Sequence, residues 1–171
     1  MKHYIFLGVF SLLAMGLSKT VLSASADGNA SAVIVEQGGI ESEVDMDFGV
    51  IVKPSGQAAK VKVSTSGLIT CGDANSGWVC TGSPSAGKFK VYGSNGTYSV
   101  SYADGILSDG KGNTMSLRVE GVSSITLANG EASLLVGGEL DVGNDNGNTQ
   151  ASGTYSTSNA GGTPYTVTVN F

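Results

Sequence analysis

The chain ends in a segment in which hydrophobic and polar residues alternate without a break. Every second position of 165–171 is aromatic or valine, and threonine or asparagine occupies the positions between them. A period of two is that of a β-strand with one buried face. Because a terminal segment stays ordered only when it is docked, this pattern predicts a strand that closes the core. The residues on its buried face are Tyr165, Val167, Val169 and Phe171.

Shorter segments of the same period occur along the chain, and a helical period is almost absent. Glycine-rich connections separate these segments at intervals typical of sandwiches and barrels. The pattern therefore predicts an all-β, antiparallel β-sandwich of about nine strands, with little or no helix after residue 26. The clearest of the other alternating segments are 59–64, 88–91, 98–102, 115–119 and 132–142.

Glycine positions predict how some of these strands connect. The short connection 93–96 contains glycine and asparagine, which predicts that 88–91 and 98–102 form a hairpin. A second hairpin is expected where 78–80 returns after 68–71. The pair Gly137-Gly138 inside a strand pattern predicts a bulge or a bend at which the inward face can change.

The first 26 residues have the pattern of a secretory signal peptide. Lys2 and His3 precede an apolar run, and Ala24-Ser25-Ala26 provides small residues for cleavage. The run is shorter than the roughly 20 residues that cross a bilayer, and no second such run follows. We expect an exported protein with no integral membrane segment after cleavage.

Residues 27–37 lie between the signal peptide and the sandwich, which is expected over 38–171. The segment begins polar and then becomes a short run of β-forming residues. Two interpretations stay open, because it is either the first strand of the sandwich or a free arm. Its candidate strand residues are Ala32, Val33, Ile34 and Val35.

The charge balance argues against two classes of partner. The formal net charge is −5. Nucleic acid and anionic membranes attract proteins with clustered positive charge, so neither is expected as the main partner.

Cys71 and Cys80 are the only cysteines, and an exported chain favours a disulfide between them. Trp78 lies inside the ring that this bridge would close. It either packs on the sandwich or, if it is exposed, forms a rigid platform on which a sugar or a protein partner stacks.

No constellation of residues typical of an enzyme is found in the sequence. The one histidine is His3, which leaves with the signal peptide, so an imidazole base and a histidine–zinc site are excluded. The acidic pairs Glu41/Glu43 and Asp45/Asp47 are interpreted as solvated charges at a sheet edge rather than as catalytic carboxylates. The Asn- and Asp-rich stretch 141–148 does not fit an EF-hand loop, and a loop without metal is favoured. We expect no catalytic activity, no cofactor and no metal.

Several motifs resemble a known family. They are Asp47-Phe48-Gly49, Val136-Gly137-Gly138-Glu139-Leu140, Gly153-Thr154-Tyr155 and the closing 165–171. Together they resemble the secreted bacterial "domain of unknown function 4402" family over nearly the whole chain after the signal peptide.

The order of parts is also similar to that of chaperone–usher pilus subunits. This resemblance implies an immunoglobulin-like sandwich that lacks one strand, and a 27–37 arm donated to a neighbouring subunit. It also implies that a periplasmic chaperone reads the closing strand and that an outer-membrane usher takes part in assembly. The partners would be other copies of the chain or related subunits, in the periplasm and then on the surface of a Gram-negative bacterium.

The sequence therefore supports two functional hypotheses. The leading hypothesis is a pilin-like fibre or cell-surface subunit that assembles by β-strand addition. The alternative is a surface adhesin or carbohydrate-binding module that uses Trp78 and nearby loops to bind a glycan.

Overall fold

The computed structural model describes residues 29–34, 37–72, 76–143 and 150–171. Residues Ile34–Phe171 make up one compact unit, and the described part of it contains strands but no helix. All strand pairs are antiparallel, which confirms the predicted all-β sandwich. The strands are β1 (Gly39–Val44), β2 (Val50–Val52), β3 (Ala59–Val63), β4 (Ile69–Cys71), β5 (Val79–Thr81), β6 (Gly87–Tyr92), β7 (Gly96–Ala103), β8 (Gly105–Ser108), β9 (Thr114–Glu120), β10 (Ser124–Leu127), β11 (Glu131–Val142) and β12 (Thr166–Asn170).

These strands form three sheets. The largest has the order β1-β6-β11-β3-β4, with β9 also paired to β11 and β8 paired to β9. The second sheet has the order β10-β7-β12, and the third is the ribbon β2-β5. Twelve strands in the described residues exceed the predicted nine, because short strands such as β8 and β10 offer too few positions to show a period.

A single hydrophobic core lies between the two larger sheets. Val61, Val91 and Val136 of the first sheet are completely buried, and Leu127 of the second is 2% exposed. Their neighbours in the core come from both sheets, so the sheets pack face to face. The two-residue turn Asn129-Gly130, with φ of 57° and 83°, leads from β10 in one sheet to β11 in the other. Positive φ at both positions is the geometry that Asn-Gly turns favour.

The longest strand, β11, changes partners at its glycine pair. Residues up to Val136 pair with β6, and the strand pairs with β9 from Gly137 and with β3 from Gly138. Even-numbered residues face inward on both sides of this point, so the inward face does not change there. A methyl group on Gly137 would lie 2.6 Å from the Val63 carbonyl oxygen. The missing side chain at Gly137 therefore lets β3 approach β11.

The predicted hairpin of 88–91 with 98–102 is wrong. Strand β6 pairs with β1 and β11, whereas β7 pairs with β10 and β12. The short connection crosses from one sheet to the other, because β6 pairs on its two sides with β1 and β11, and β7 pairs on its two sides with β10 and β12.

The predicted signal peptide, residues 1–26, lies outside the described residues. In the described ranges no helix has the length and the apolar character needed to cross a membrane.

Candidate functional site

Two strands at one side of the sandwich have a free edge. Strand β1 pairs only with β6, and β12 pairs only with β7, among the residues that the structure describes. A free edge presents unpaired N–H and C=O groups, to which another strand can pair. The two free edges belong to different sheets, and aromatic residues bring them together at both ends.

Phe171 joins the two edges at one end. Its ring lies 4.9 Å, centroid to centroid, from that of Tyr98 in β7. A methyl group on Gly38 would lie 2.2 Å from Phe171 Cδ1, so the ring sits directly on the backbone just before β1. The end of β12 is therefore held beside the start of β1.

Tyr165 joins the two edges at the other end. Its ring meets that of Phe89 in β6 edge to face, with centroids 6.1 Å apart. A methyl group on Gly87 would lie 2.6 Å from its hydroxyl oxygen. Burial, and secondarily the charge of Asp45 just after β1, raise the pKa of Tyr165. The start of β12 is thus held beside the end of β1, and the two strands run in opposite directions.

Between these ends the inward faces of both edge strands are incompletely covered. Val91 and Val100, on the neighbouring strands β6 and β7, are buried, but Val167 and Val169 on β12 are only half-buried. Ser42 lies opposite Phe89 on β1 and is exposed. The predicted alternation of the closing strand is present. The apolar side chains of one additional strand would complete the burial of its inward face.

The candidate donor segment shows no strand in its described residues. Ala32 is exposed, and Val33 and Ile34 are 89% and 94% exposed. Val35 lies outside the described residues. β-branched residues favour strand conformation, and pairing of this segment as a strand with a partner would bury its exposed side chains.

Ion pairs cover the outward face of the larger sheet. Strand β1 places Glu43 2.8 Å from Lys88 of β6, and Lys90 of β6 lies 2.8 Å from Glu131 of β11. Lys60 of β3 pairs with Glu139 of β11, and its hydrogen bond lowers the pKa of that glutamate. Surface pairs such as these add little stability individually. They do give the β1 edge a charged face.

The outward face of the smaller sheet carries no charged residue. The outward positions of β12 are Thr166, Thr168 and Asn170, and those of β10 are Ser124 and Thr126. On β7 the corresponding residues are Thr97, Ser99, Ser101 and Ala103. The free edge of β12 is therefore uncharged.

The predicted disulfide is confirmed, but the predicted hairpin around it is wrong. Cys71 and Cys80 are bonded, with Cα atoms 5.7 Å apart. Strand β4 pairs with β3, and β5 pairs with β2, so the bridge joins an edge of the largest sheet to the two-stranded ribbon. The cysteines lie on strands that complete two different sheets.

Trp78 is part of the core and does not form an exposed platform. Its side chain is 9% exposed. A methyl group on Gly72 would lie 2.5 Å from its Cγ atom, so the indole packs on the backbone of the disulfide ring. Burial removes the open ring face that stacking on a sugar requires, and the packing interpretation is the correct one.

The Asn- and Asp-rich loop is fixed at its base. Gln150 is 5% exposed, accepts a hydrogen bond from Gly143 N–H at 2.5 Å and donates one to the Thr114 carbonyl at 2.6 Å. The loop itself, 144–149, lies outside the described residues. Within the described ranges no three metal-ligating side chains come together.

Phe171→Ala is expected to lower the free energy of unfolding by about 1–3 kcal/mol. Half of the side chain is exposed, so roughly half of a phenylalanine's apolar area, together with the Tyr98 contact, is lost. Chemical denaturation of the purified chain measures the change. Leu68→Ala, at a side chain that is 72% exposed, is the matched control and should change stability little. Equal effects of the two substitutions would mean that Phe171 does not hold the two edges together.

Sequence reasoning missed the residues on which the aromatic rings rest. Gly38 and Gly87 are recognisable as turn or strand glycines, but nothing in their local pattern points to Phe171 or Tyr165. The alternation places the tyrosines and phenylalanines at 89, 98, 165 and 171 each on a strand face. Their pairing depends on the sheet order, which the period of a single strand does not encode.

The model of one protein family, described as "Domain of unknown function (DUF4402)", matches residues 39–171. Comparison with curated proteins and comparison with solved structures gave no match. The matched range begins at the first residue of β1 and includes every strand of the sandwich.

Proposed function

The chain belongs to the DUF4402 family, and from the open side of its sandwich we propose that it is an exported, non-enzymatic structural subunit that assembles by β-strand addition. In this proposal the subunit forms a pilin-like fibre or another cell-surface assembly. The observation that carries it is the pair of free edges, β1 and β12, held side by side at both ends.

Strand addition fits this side of the molecule for a physical reason. A strand that enters between β1 and β12 gains main-chain hydrogen bonds at an edge and buries its alternate side chains. The half-buried Val167 and Val169 and the uncovered Ser42 lie along the space that it would line. The exposed segment 29–34 of another copy provides a strand of suitable composition.

The proposal extends to export, localisation and assembly partners. The sequence of the first 26 residues supports export to the periplasm and then to the cell surface. A subunit with an unfilled edge needs protection before assembly, which supports a periplasmic chaperone, and a fibre at the surface supports an outer-membrane usher.

No second function is put forward. The glycan-binding alternative uses Trp78 together with nearby loops, and no observation favours it, since the Trp78 side chain is only 9% exposed.

Deletion of residues 27–37 is expected to abolish self-association. Without the arm, a copy has no strand to donate, so the variant should elute as a monomer at concentrations at which the full chain forms oligomers. Size-exclusion chromatography with light scattering measures the mass, and SDS gels of unheated samples test for resistant polymers.

Two point variants test whether association depends on the apolar side chains of the segment. Ile34→Asp places a charge at an exposed aliphatic position and should weaken association, whereas Asn29→Asp adds the same charge at a polar position of the same segment and should not. If the full chain stays monomeric at high concentration, and the deletion alters neither association nor stability, strand addition is wrong.

A further inference from the structure

We infer that Asn129 is a deamidation site that the fold keeps closed, and that the side chain of Asn95 keeps it closed. Deamidation converts the amide of an asparagine into a carboxylate without any enzyme. Asn95 lies on the connection between β6 and β7, and Asn129 lies on the turn between β10 and β11. The protection is a property of the folded chain itself and does not depend on the proposed strand addition.

An asparagine followed by a glycine is the pair of residues most prone to deamidation. Glycine has no side chain, so nothing screens its backbone nitrogen from the preceding asparagine. The chain contains three such pairs, of which the third lies outside the described residues. They are Asn95-Gly96, Asn129-Gly130 and Asn146-Gly147.

The reaction begins when the backbone nitrogen of the glycine attacks Cγ of the asparagine. A bond forms between that nitrogen and Cγ, the bond between Cγ and Nδ2 breaks, and the backbone proton leaves with Nδ2 as ammonia. The product is a succinimide ring, which water opens to aspartate or isoaspartate. The glycine nitrogen must therefore be free to give up its proton and to approach Cγ.

The nitrogen that would attack Asn129 belongs to Gly130, and its N–H group is already bound. It donates a hydrogen bond to Oδ1 of Asn95 at 2.8 Å. The Gly130 carbonyl oxygen accepts a second hydrogen bond, at 2.9 Å, from the N–H of Gly93. The connection between β6 and β7 thus holds both backbone polar groups of Gly130. Attack on Cγ of Asn129 requires the bond to Asn95 to break, and this cost is added to the reaction barrier.

The turn leaves Asn129 otherwise open to the reaction. Asn129 is exposed, so water reaches its side chain. The bridge between Ala128 and Glu131 closes a turn of two residues, with φ of 57° at Asn129 and 83° at Gly130. Isoaspartate adds one carbon atom to the main chain, which so short a turn can accept only if β10 or β11 moves. The hydrogen bond to Asn95 therefore protects a link between the two larger sheets.

Deamidation rates in the full chain test this protection. The folded wild type and the folded Asn95→Ala variant are kept at mildly alkaline pH, and mass spectrometry of a digest measures aspartate and isoaspartate in place of Asn129. We expect Asn95→Ala to raise the rate at Asn129 by about two- to tenfold, the range that the loss of one hydrogen bond gives. In concentrated urea, which removes the contact from both chains, the two should react at the same rate.

Further variants separate the hydrogen bond from a general effect on the fold. Asn95→Asp keeps an oxygen acceptor and should react at Asn129 as slowly as the wild type. Thr97→Ala removes the 2.9 Å hydrogen bond between the hydroxyl groups of Thr97 and Thr126 and should also leave the rate at Asn129 unchanged. Asn146-Gly147 is a reference within each chain, and its rate should be the same in all variants.

Circular dichroism first establishes that each variant is folded. If Asn95→Ala does not fold, Asn95→Gln replaces it with the same expected increase, because the longer side chain displaces the accepting oxygen. Equal rates at Asn129 in the wild type and in the Ala or Gln variant would overturn the inference, as would a rate in Asn95→Asp as high as in that variant. A rise at Asn146 as large as the rise at Asn129 would also overturn it, because the cause would then be a general loosening of the fold.

Discussion

Replacing Gly137 by alanine is expected to lower the free energy of unfolding by about 3 kcal/mol or more, at the upper end of what overpacking costs. The new Cβ atom would lie 2.6 Å from the carbonyl oxygen of Val63 and 3.0 Å from the carbonyl carbon of Ser64. These are backbone atoms of β3 and the residue after it, and no side-chain rotation can move them. Strand β3 would have to separate from β11, and β11 is the central strand of the largest sheet.

Gly153→Ala is the matched control for this substitution. The nearest atoms to a Cβ there lie 3.6 and 3.8 Å away, and φ at neither glycine is in the left-handed region. Urea unfolding followed by circular dichroism measures both variants. If Gly137→Ala were as stable as Gly153→Ala, the close approach of β3 to β11 would be incorrect.

Removing the disulfide, as Cys71→Ala with Cys80→Ala, is expected to lower the free energy of unfolding by about 2–3 kcal/mol. The chain-entropy estimate for a ring of about ten residues gives this size. Because the bridge joins β4 to β5, its loss should also free the β2-β5 ribbon, which has no other strand paired to it among the described residues.

Two measurements check this prediction. Thermal unfolding of the wild type with reductant should approach that of the double variant, and reductant should leave the double variant unchanged. Hydrogen exchange should rise in β2 and β5 and stay constant in β9. An equal rise in all three strands would contradict the assignment of the bridge to the ribbon.

The sequence allowed the single strands to be predicted better than their partners. The alternation at 165–171 identified β12 and its inward residues, since the period of a strand depends only on neighbouring positions. The hairpin expected for β6 and β7 was wrong because sheet membership is decided by distant residues. Strand β6 lies between β1 and β11, which are separated from each other by about half of the chain.

For the cysteines, too, the sequence predicted a local feature but not the strand partners. Their pairing followed from their number and from the expected export, both of which are visible in the sequence. The strands that carry them pair with β3 and β2, and local pattern carries no information about that choice. The burial of Trp78 likewise depends on Gly72 and on the core around it, so its accessibility could be decided only from the structure.

The candidate site was predictable in part. Its apolar ladder on β12 and the β-forming arm could be found from period and composition. The feature that makes them a site is that Gly38 lies under the ring of Phe171 and Gly87 lies under the hydroxyl group of Tyr165. Such contacts arise between sheets, where side-chain periodicity gives no register.

The Cys71–Cys80 bridge has a mechanical consequence. When a chain is pulled from its two ends, a covalent bridge carries the force directly between the bonded residues, and the segment inside the ring bears none. The bonded residues are nine positions apart in sequence, with Cα atoms 5.7 Å apart. At about 3.3–3.6 Å per residue, the bridge shortens the fully stretched molecule by roughly 25 Å. Under tension, Trp78 and the rest of the ring would therefore remain unextended, and reduction would release that hidden length as a measurable step.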